Sequence, residues 1–278
     1  MAFVSLMLGM ALVLRASPDP DGGPAARALI EAERAFAADA DRLGTAAAFL
    51  AWSEPDALIL TAHGEASVRE VFVSAERRDD DVRLVWWPTW ITLSRDGSVG
   101  VSSGPFERDG RRAGYFLTLW RRQADGSWRW FFDGGSPADA HPAPDADVPP
   151  RFVSPATTED RPPTITAAEL QIAEAVFAAE ARMDQGAAHR AAVSAEARVI
   201  AASLPPMDGV AALAPRTASL GARLDFAPPD HLEIASGGDL GWVRGGLDGG
   251  EGRLGFYLRV WRREEGGWKI VYEQISEY

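Results

Sequence analysis

The sequence predicts an α+β protein built as two tandem domains, each with N-terminal helices followed by an antiparallel meander. Two observations carry that expectation. The stretch Gly114-Tyr-Phe-Leu-Thr-Leu-Trp-Arg-Arg122 returns as Gly255-Phe-Tyr-Leu-Arg-Val-Trp-Arg-Arg263. Trp120 and Trp261 are thus 141 residues apart, and the same offset pairs Gly100 with Gly241, Gly104 with Gly245, Phe36 with Phe177 and Glu33 with Glu174. A period this long is a whole domain, well beyond the solenoid range. Within each copy, helical spacing also gives way to alternation punctuated by Asp-Gly and Gly-Gly turns.

The first copy opens with a helix. Leu29, Ala32, Phe36, Ala40 and Leu43 recur at helical spacing, and Gly44 is placed to end it. Thr45 can cap a short second helix through Trp52, after which Pro55 interrupts and Ala57–Leu60 reads as a strand. Asp96-Gly97, Asp109-Gly110 and Asp125-Gly126 are hairpin signals. They divide the following region into strands near 82–94, 99–107, 112–122 and 127–133, the first broken or bent by Pro88. Residues 134–163 carry eight prolines and read as an extended, solvated linker. In the second copy, Leu170, Ala173, Phe177 and Ala181 mark the first helix and Arg198–Ala201 the early strand. Trp120 to Trp128 spans eight residues but Trp261 to Trp268 seven, so the last turn has lost one. The expected boundaries are an export segment over 1–20, a first repeat over 21–135, a linker over 136–166 and a second repeat over 167–278.

Composition narrows the partners. A formal net charge of −12 disfavours nucleic acid, whose phosphates call for a basic surface. There are no cysteines, which excludes disulfides, thiol nucleophiles and zinc–thiolate sites. The apolar run Ala2–Leu14 is shorter than the roughly 20 residues a span needs. With Ala16, Ser17 and Pro18 behind it, the run reads as a signal peptide that lacks its basic n-region. A periplasmic or secreted location is the expectation, a cytoplasmic one the alternative. No stable membrane insertion of the mature chain is expected, and no cofactor.

Two helices, a short strand, a variable segment and a curved sheet resemble the nuclear transport factor 2-like superfamily. Ala32-Glu33-x-x-Phe36, Ala48-Phe-Leu with Pro55-Asp56-Ala, and Tyr115-x-x-x-x-Trp120-Arg-Arg with Gly126-x-Trp128 resemble its SnoaL-like group. The first repeat matches over most of 26–135. The second matches less well, with Ala197 standing at the Asp56 position and Glu273 at the Asp133 position. The resemblance implies a cone whose mouth receives a small, mostly apolar ligand. It also implies pairing of domains through the outer sheet face, here an intrachain pseudo-dimer. The superfamily includes ketosteroid isomerase, polyketide cyclases and many non-catalytic binding modules, so it fixes fold rather than function.

Candidate residues follow from position. Asp133 and Glu273 are the candidate catalytic acids, because an acid ends the last strand of both repeats. A carboxyl in an apolar pocket can serve as acid or base. The competing reading pairs them with arginines on a solvated face. Alternation places Arg129, Phe131 and Asp133 on one face and Trp128, Trp130 and Phe132 on the other. Trp86, Trp87 and Trp90, with His63 and Tyr115, are the candidate ligand-binding residues, an aromatic wall in the first repeat alone. Phe226 and Pro228 stand at the corresponding strand of the second. Asp39 and Glu180 correspond on the first helices and are expected to face water. His63, His189 and His231 lack metal-ligand spacing and are read as ordinary, partly exposed residues; no metal site is expected. Two functions fit: a small apolar-ligand-binding protein, or a ketosteroid-isomerase- or polyketide-cyclase-like enzyme using a pocket carboxylate.

Overall fold

A computed structural model describes residues 22–61, 64–75, 83–137, 143–156, 161–201, 206–209, 224–249 and 252–277. The expected export segment and His63 lie outside the described residues. The chain begins with α1 (Gly23–Leu43) and α2 (Thr45–Trp52), followed by β1 (Ser53–Thr61), β2 (Gly64–Ser67) and α3 (Val68–Ala75). Then come β3 (Leu84–Trp86), β4 (Trp90–Leu93), β5 (Val99–Arg108), β6 (Arg111–Arg122), β7 (Trp128–Pro137) and β8 (Arg151–Val153). A second set follows: α4 (Pro163–Met183), α5 (Gln185–Ala192), β9 (Val193–Ala201), β10 (Met207–Asp208), β11 (Asp225–Ile234), β12 (Leu240–Gly249), β13 (Gly252–Glu264) and β14 (Gly267–Glu277).

The strands form two sheets, ordered β2-β1-β7-β6-β5-β4-β8 and β10-β9-β14-β13-β12-β11, with β3 also paired to β5. The fold is α+β, but the sheets are mixed rather than antiparallel. β1 lies parallel to β7 and β9 parallel to β14. The expected linker is also partly structured. β7 runs on to Pro137, and Arg151–Val153 pairs in parallel with β4, so an edge that would otherwise be open is covered.

α1 buries Ala26, Leu29, Ala32, Phe36 and Ala40, the face its spacing predicts, whereas Leu43 is 45% exposed. The recurrence of Gly100 and Gly241 has a packing cause. A Cβ at Gly100 would lie 2.6 Å from Leu29 Cδ2, and one at Gly241 would lie 2.6 Å from Leu170 Cδ2. In both sheets a helix leucine presses onto bare backbone.

β-Bulges decide which side chains point inward. In β6–β7, Leu119 pairs with Phe132 but Trp120 pairs with Trp130, so Phe131 is the extra residue. In β13–β14, Val260 pairs with Tyr272 and Trp261 with Ile270, leaving Val271 as the extra one. The alternation expected from sequence therefore slips by one. Trp128 and Trp130 pack under α1, while Phe132 joins the opposite face.

That opposite face is shared. Trp90, Val101, Leu117 and Leu119 of the first sheet bury in one cluster with Trp242, Leu258, Val260 and Tyr272 of the second. Trp90 and Tyr272 have ring centroids 5.7 Å apart, and Phe131 and Trp242 5.0 Å apart. Arg198 Nη1 donates to Thr89 Oγ1 at 2.9 Å, and the Arg95 amide donates to Asp239 Oδ2 at 2.9 Å. No helix among the described residues is long and apolar enough to cross a membrane.

Candidate functional site

Each half encloses a buried acid on its first helix. In the first half this is Glu33, one helical turn before Phe36 on the same face and fully buried. Trp86 Nε1 donates to Glu33 Oε1 at 2.7 Å, Trp120 Nε1 donates to Oε2 at 2.9 Å, and the Ser102 hydroxyl also bonds to Oε2. Burial pushes the Glu33 pKa up, against the pull of these hydrogen bonds. In the second half Trp261 Nε1 donates to Glu174 Oε2 at 2.9 Å, the counterpart of the Trp120–Glu33 contact. A buried carboxyl needs such donors, since burying it unpaired costs several kcal/mol, on the order of what a domain holds in reserve.

The two interiors diverge at one strand position. Thr118 of β6 occupies the place held by Arg259 in β13. Thr118 Oγ1 donates to Asp133 Oδ2 at 2.8 Å. Asp133 receives no other side-chain hydrogen bond among the described residues, and its pKa is raised well above the ordinary aspartate value, first by burial and further by the nearby Glu33 charge. The β7 bulge is what brings this acid inward. Glu273 is placed the same way by the β14 bulge, but its surroundings differ. Arg259 Nε donates to Glu273 Oε1 at 2.7 Å, and Nη1 donates to Glu174. The guanidinium also lies 4.0–4.3 Å from the ring centroids of Phe226, Tyr257 and Phe177. Burial works against its charge, yet Glu174 and Glu273 together hold its pKa above the ordinary value. His189 Nε2 completes the cluster 3.0 Å from Glu273 Oε2, while Nδ1 lies 2.8 Å from the Gln185 carbonyl oxygen.

Several sequence expectations change here. Asp133 and Glu273 are not on a solvated face; they are 9% and 0% exposed. His189 is not partly exposed but 1% exposed, and stands where the first half has Ala48. The tryptophan wall is dispersed. Trp86 packs beneath α1 against Phe36, Trp87 donates to the Pro144 carbonyl at 2.9 Å, and Trp90 faces the second sheet. Tyr115 is buried in that same cluster between the sheets, so neither Trp90 nor Tyr115 packs beneath α1. Asp39 accepts from Trp52 Nε1 at 2.9 Å and from Arg42, and Glu180 is exposed. Glu33, Glu174 and Arg259 carry the interior chemistry, yet none is singled out by polarity, because a charged side chain on a helix or strand ordinarily faces water. The available signals are the offset pairing Glu33 with Glu174 and the Thr118/Arg259 difference inside the best-preserved stretch.

The chain is similar in structure to nuclear transport factor 2-like proteins. One is such a protein of unknown function from Pseudomonas putida KT2440, 16% identical, with a TM-score of 0.35 over 41% of this chain and 87% of that one. Another, from Novosphingobium aromaticivorans and with a cystatin-like fold, is 15% identical, with a TM-score of 0.34 over 41% and 82%. A candidate ketosteroid isomerase from Shewanella frigidimarina NCIMB 400 is 13% identical, with a TM-score of 0.31 over 42% and 97%. No family model and no curated protein matches the chain.

The raised pKa of Asp133 has a measurable sign. An acid held neutral in the fold stabilises it fully below the unfolded pKa, near 3.8, and that contribution is lost as pH rises toward the folded value. Stability is expected to fall by up to about 1.4 kcal/mol per pH unit through that window. Asp133→Asn, which is never ionised, is expected to flatten this slope in denaturant melts taken from pH 4 to 8. An unchanged slope would mean that Asp133 is ionised in the native protein.

Proposed function

We propose that the chain is two tandem domains of one ancestry, over 21–135 and 167–278, packed sheet to sheet as an intrachain pseudo-dimer. In this reading the first domain binds a small, mostly apolar molecule carrying a hydrogen-bonding group. The 141-residue offset, the matched Trp120–Glu33 and Trp261–Glu174 contacts and the cluster shared by the two sheets support the duplication. The observation that carries the binding assignment is the contrast at Thr118 and Arg259. In the second domain one arginine engages both acids and three aromatic rings, so the interior supplies its own occupant. In the first, Asp133 keeps unused hydrogen-bonding capacity amid Phe36, Phe49, Trp86 and Trp130, and the Trp130 Nε1–H has no partner among the described residues. Apolar walls with a few convergent polar groups are the make-up of a small-molecule site.

The test is a titration of intrinsic tryptophan fluorescence with 2-naphthol, which is apolar and carries one hydroxyl. Saturable quenching is expected for the native chain. Thr118→Arg, which installs the second domain's plug, and Asp133→Leu should each weaken it at least tenfold, or about 1.4 kcal/mol. Circular dichroism confirms that the variants remain folded. Binding unaffected by either change would remove the site from the first domain. The raised Asp133 pKa also favours a second reading, a ketosteroid-isomerase- or cyclase-like acid–base catalyst. Turnover of an enolisable ketone, with a rate limb abolished by Asp133→Asn, would establish that reading over simple binding.

A further inference from the structure

The first helices of the two halves are alike on the inside and unlike on the outside. On α1 the outward positions include Arg27, Glu31, Arg34 and Arg42, all exposed. At the same 141-residue offset α4 carries Ala168, Ile172, Ala175 and Met183. Four charges have been replaced by apolar groups at positions that are equally exposed. Ile165, Ile172, Val176 and Met183 are 50%, 65%, 49% and 80% exposed. Besides its inward stripe, α4 therefore carries an exposed apolar stripe, a property of helices covered on both sides.

The outer seam has a specific geometry. Ile165, Ile172, Val176, Ala179 and Met183 follow spacings of seven, four, three and four, the a/d repeat of a helix that packs on another helix, with Glu169, paired to Arg161 and Arg263, at the one position between Ile165 and Ile172. The seam is also a palindrome about position 174. Position 165 mirrors 183, 169 mirrors 179 and 172 mirrors 176. Two antiparallel copies of α4 related by a two-fold axis would therefore set Ile165 against Met183 and Ile172 against Val176, in both directions at once. Such self-complementarity is what an isologous interface requires. The small exposed side chains of Ala175 and Ala179 permit close approach of the two backbones.

We propose that α4 is a homodimerisation surface on which a second copy of this chain docks antiparallel, α4 on α4. Area and charge set its strength. A helix of 21 residues is about 31 Å long, and a strip about 10 Å wide covers about 300 Å² per copy. A stable interface needs about 800 Å² per partner, so the dimer is weak and concentration-dependent. Each copy carries a net charge of −12, so two copies repel each other. Salt screens that repulsion and so strengthens this association. A basic partner helix docking on the same seam would show the opposite dependence.

Sedimentation of the full chain at rising concentration, in 50 mM and 500 mM sodium chloride, tests the proposal. A shift from monomer toward dimer is expected, larger at the higher salt. Ile172→Glu with Met183→Arg, which gives α4 the residues of α1, should keep the chain monomeric with an unchanged thermal melt. The absence of native cysteine permits a second measurement. Ile172→Cys with Val176→Cys should cross-link into dimers under mild oxidation, whereas Glu31→Cys with Ala35→Cys on α1 should not. A native chain that stays monomeric throughout, a dimer that survives the α4 substitutions, or equal cross-linking from both helices would overturn the proposal.

Discussion

Replacing Arg259 with methionine is expected to destabilise the protein by about 3–5 kcal/mol, the range for removing one partner of a buried ion pair. The guanidinium is fully buried between Glu174 and Glu273, which are 1% and 0% exposed, so no solvent can replace it. Methionine restores much of the volume and keeps contact with Phe177 and Phe226, which isolates the electrostatic loss from a cavity effect. The loss should shrink as pH falls, because protonation of the two stranded acids removes their charge. Adding Glu174→Gln and Glu273→Gln should recover most of the stability for the same reason. Thermal melts across pH 4–8 read all three outcomes. A loss under about 1 kcal/mol at neutral pH would show that the cluster is solvated or that one acid is already neutral. Because the sheets share a buried cluster, the melt should remain a single transition; two resolved transitions would sink the pseudo-dimer.

The second large effect is at the paired tryptophans. Trp120→Ala and Trp261→Ala are each expected to cost about 3–5 kcal/mol, as for other buried large-to-small changes. The rings are 0% and 1% exposed, and each indole N–H donates to a buried glutamate. Removal therefore opens a cavity and strips a donor from an acid in the same step. Trp→Phe at either position separates these contributions, retaining most of the packing while losing the hydrogen bond. If Phe costs as much as Ala, the donor matters more than the volume; if Phe costs nothing, Glu33 or Glu174 is satisfied by its other partners. Urea midpoints at constant slope provide the measurement.

Much of the fold was legible because it rests on local or repeated signals. Apolar spacing placed α1 and α4, Gly44 ended α1, and three Asp-Gly dipeptides marked the turns between β4 and β7. The recurrence of Gly100 with Gly241 and of Trp120 with Trp261 shows in the sequence as an offset, without its packing cause. Less of the candidate site was legible. Asp133 and Glu273 stood out by position, yet simple alternation put them on the wrong face.

What the sequence determined by itself was the repeated plan, the inward stripe of each helix and the charge that disfavours nucleic acid. Those properties depend on composition and on residues within a few positions of one another. Only the tertiary structure decided which polar groups are buried. A single extra residue, Phe131 in β7 or Val271 in β14, rotates Asp133 and Glu273 inward, and no local pattern announces a bulge. Glu33 is tolerable inside only because Trp86, Ser102 and Trp120 reach it from strands 53 to 87 residues away. His189 and Arg259 are likewise held by partners distant in sequence. Burial of a charge is a property of its surroundings, and those are assembled only when the strands and helices pack.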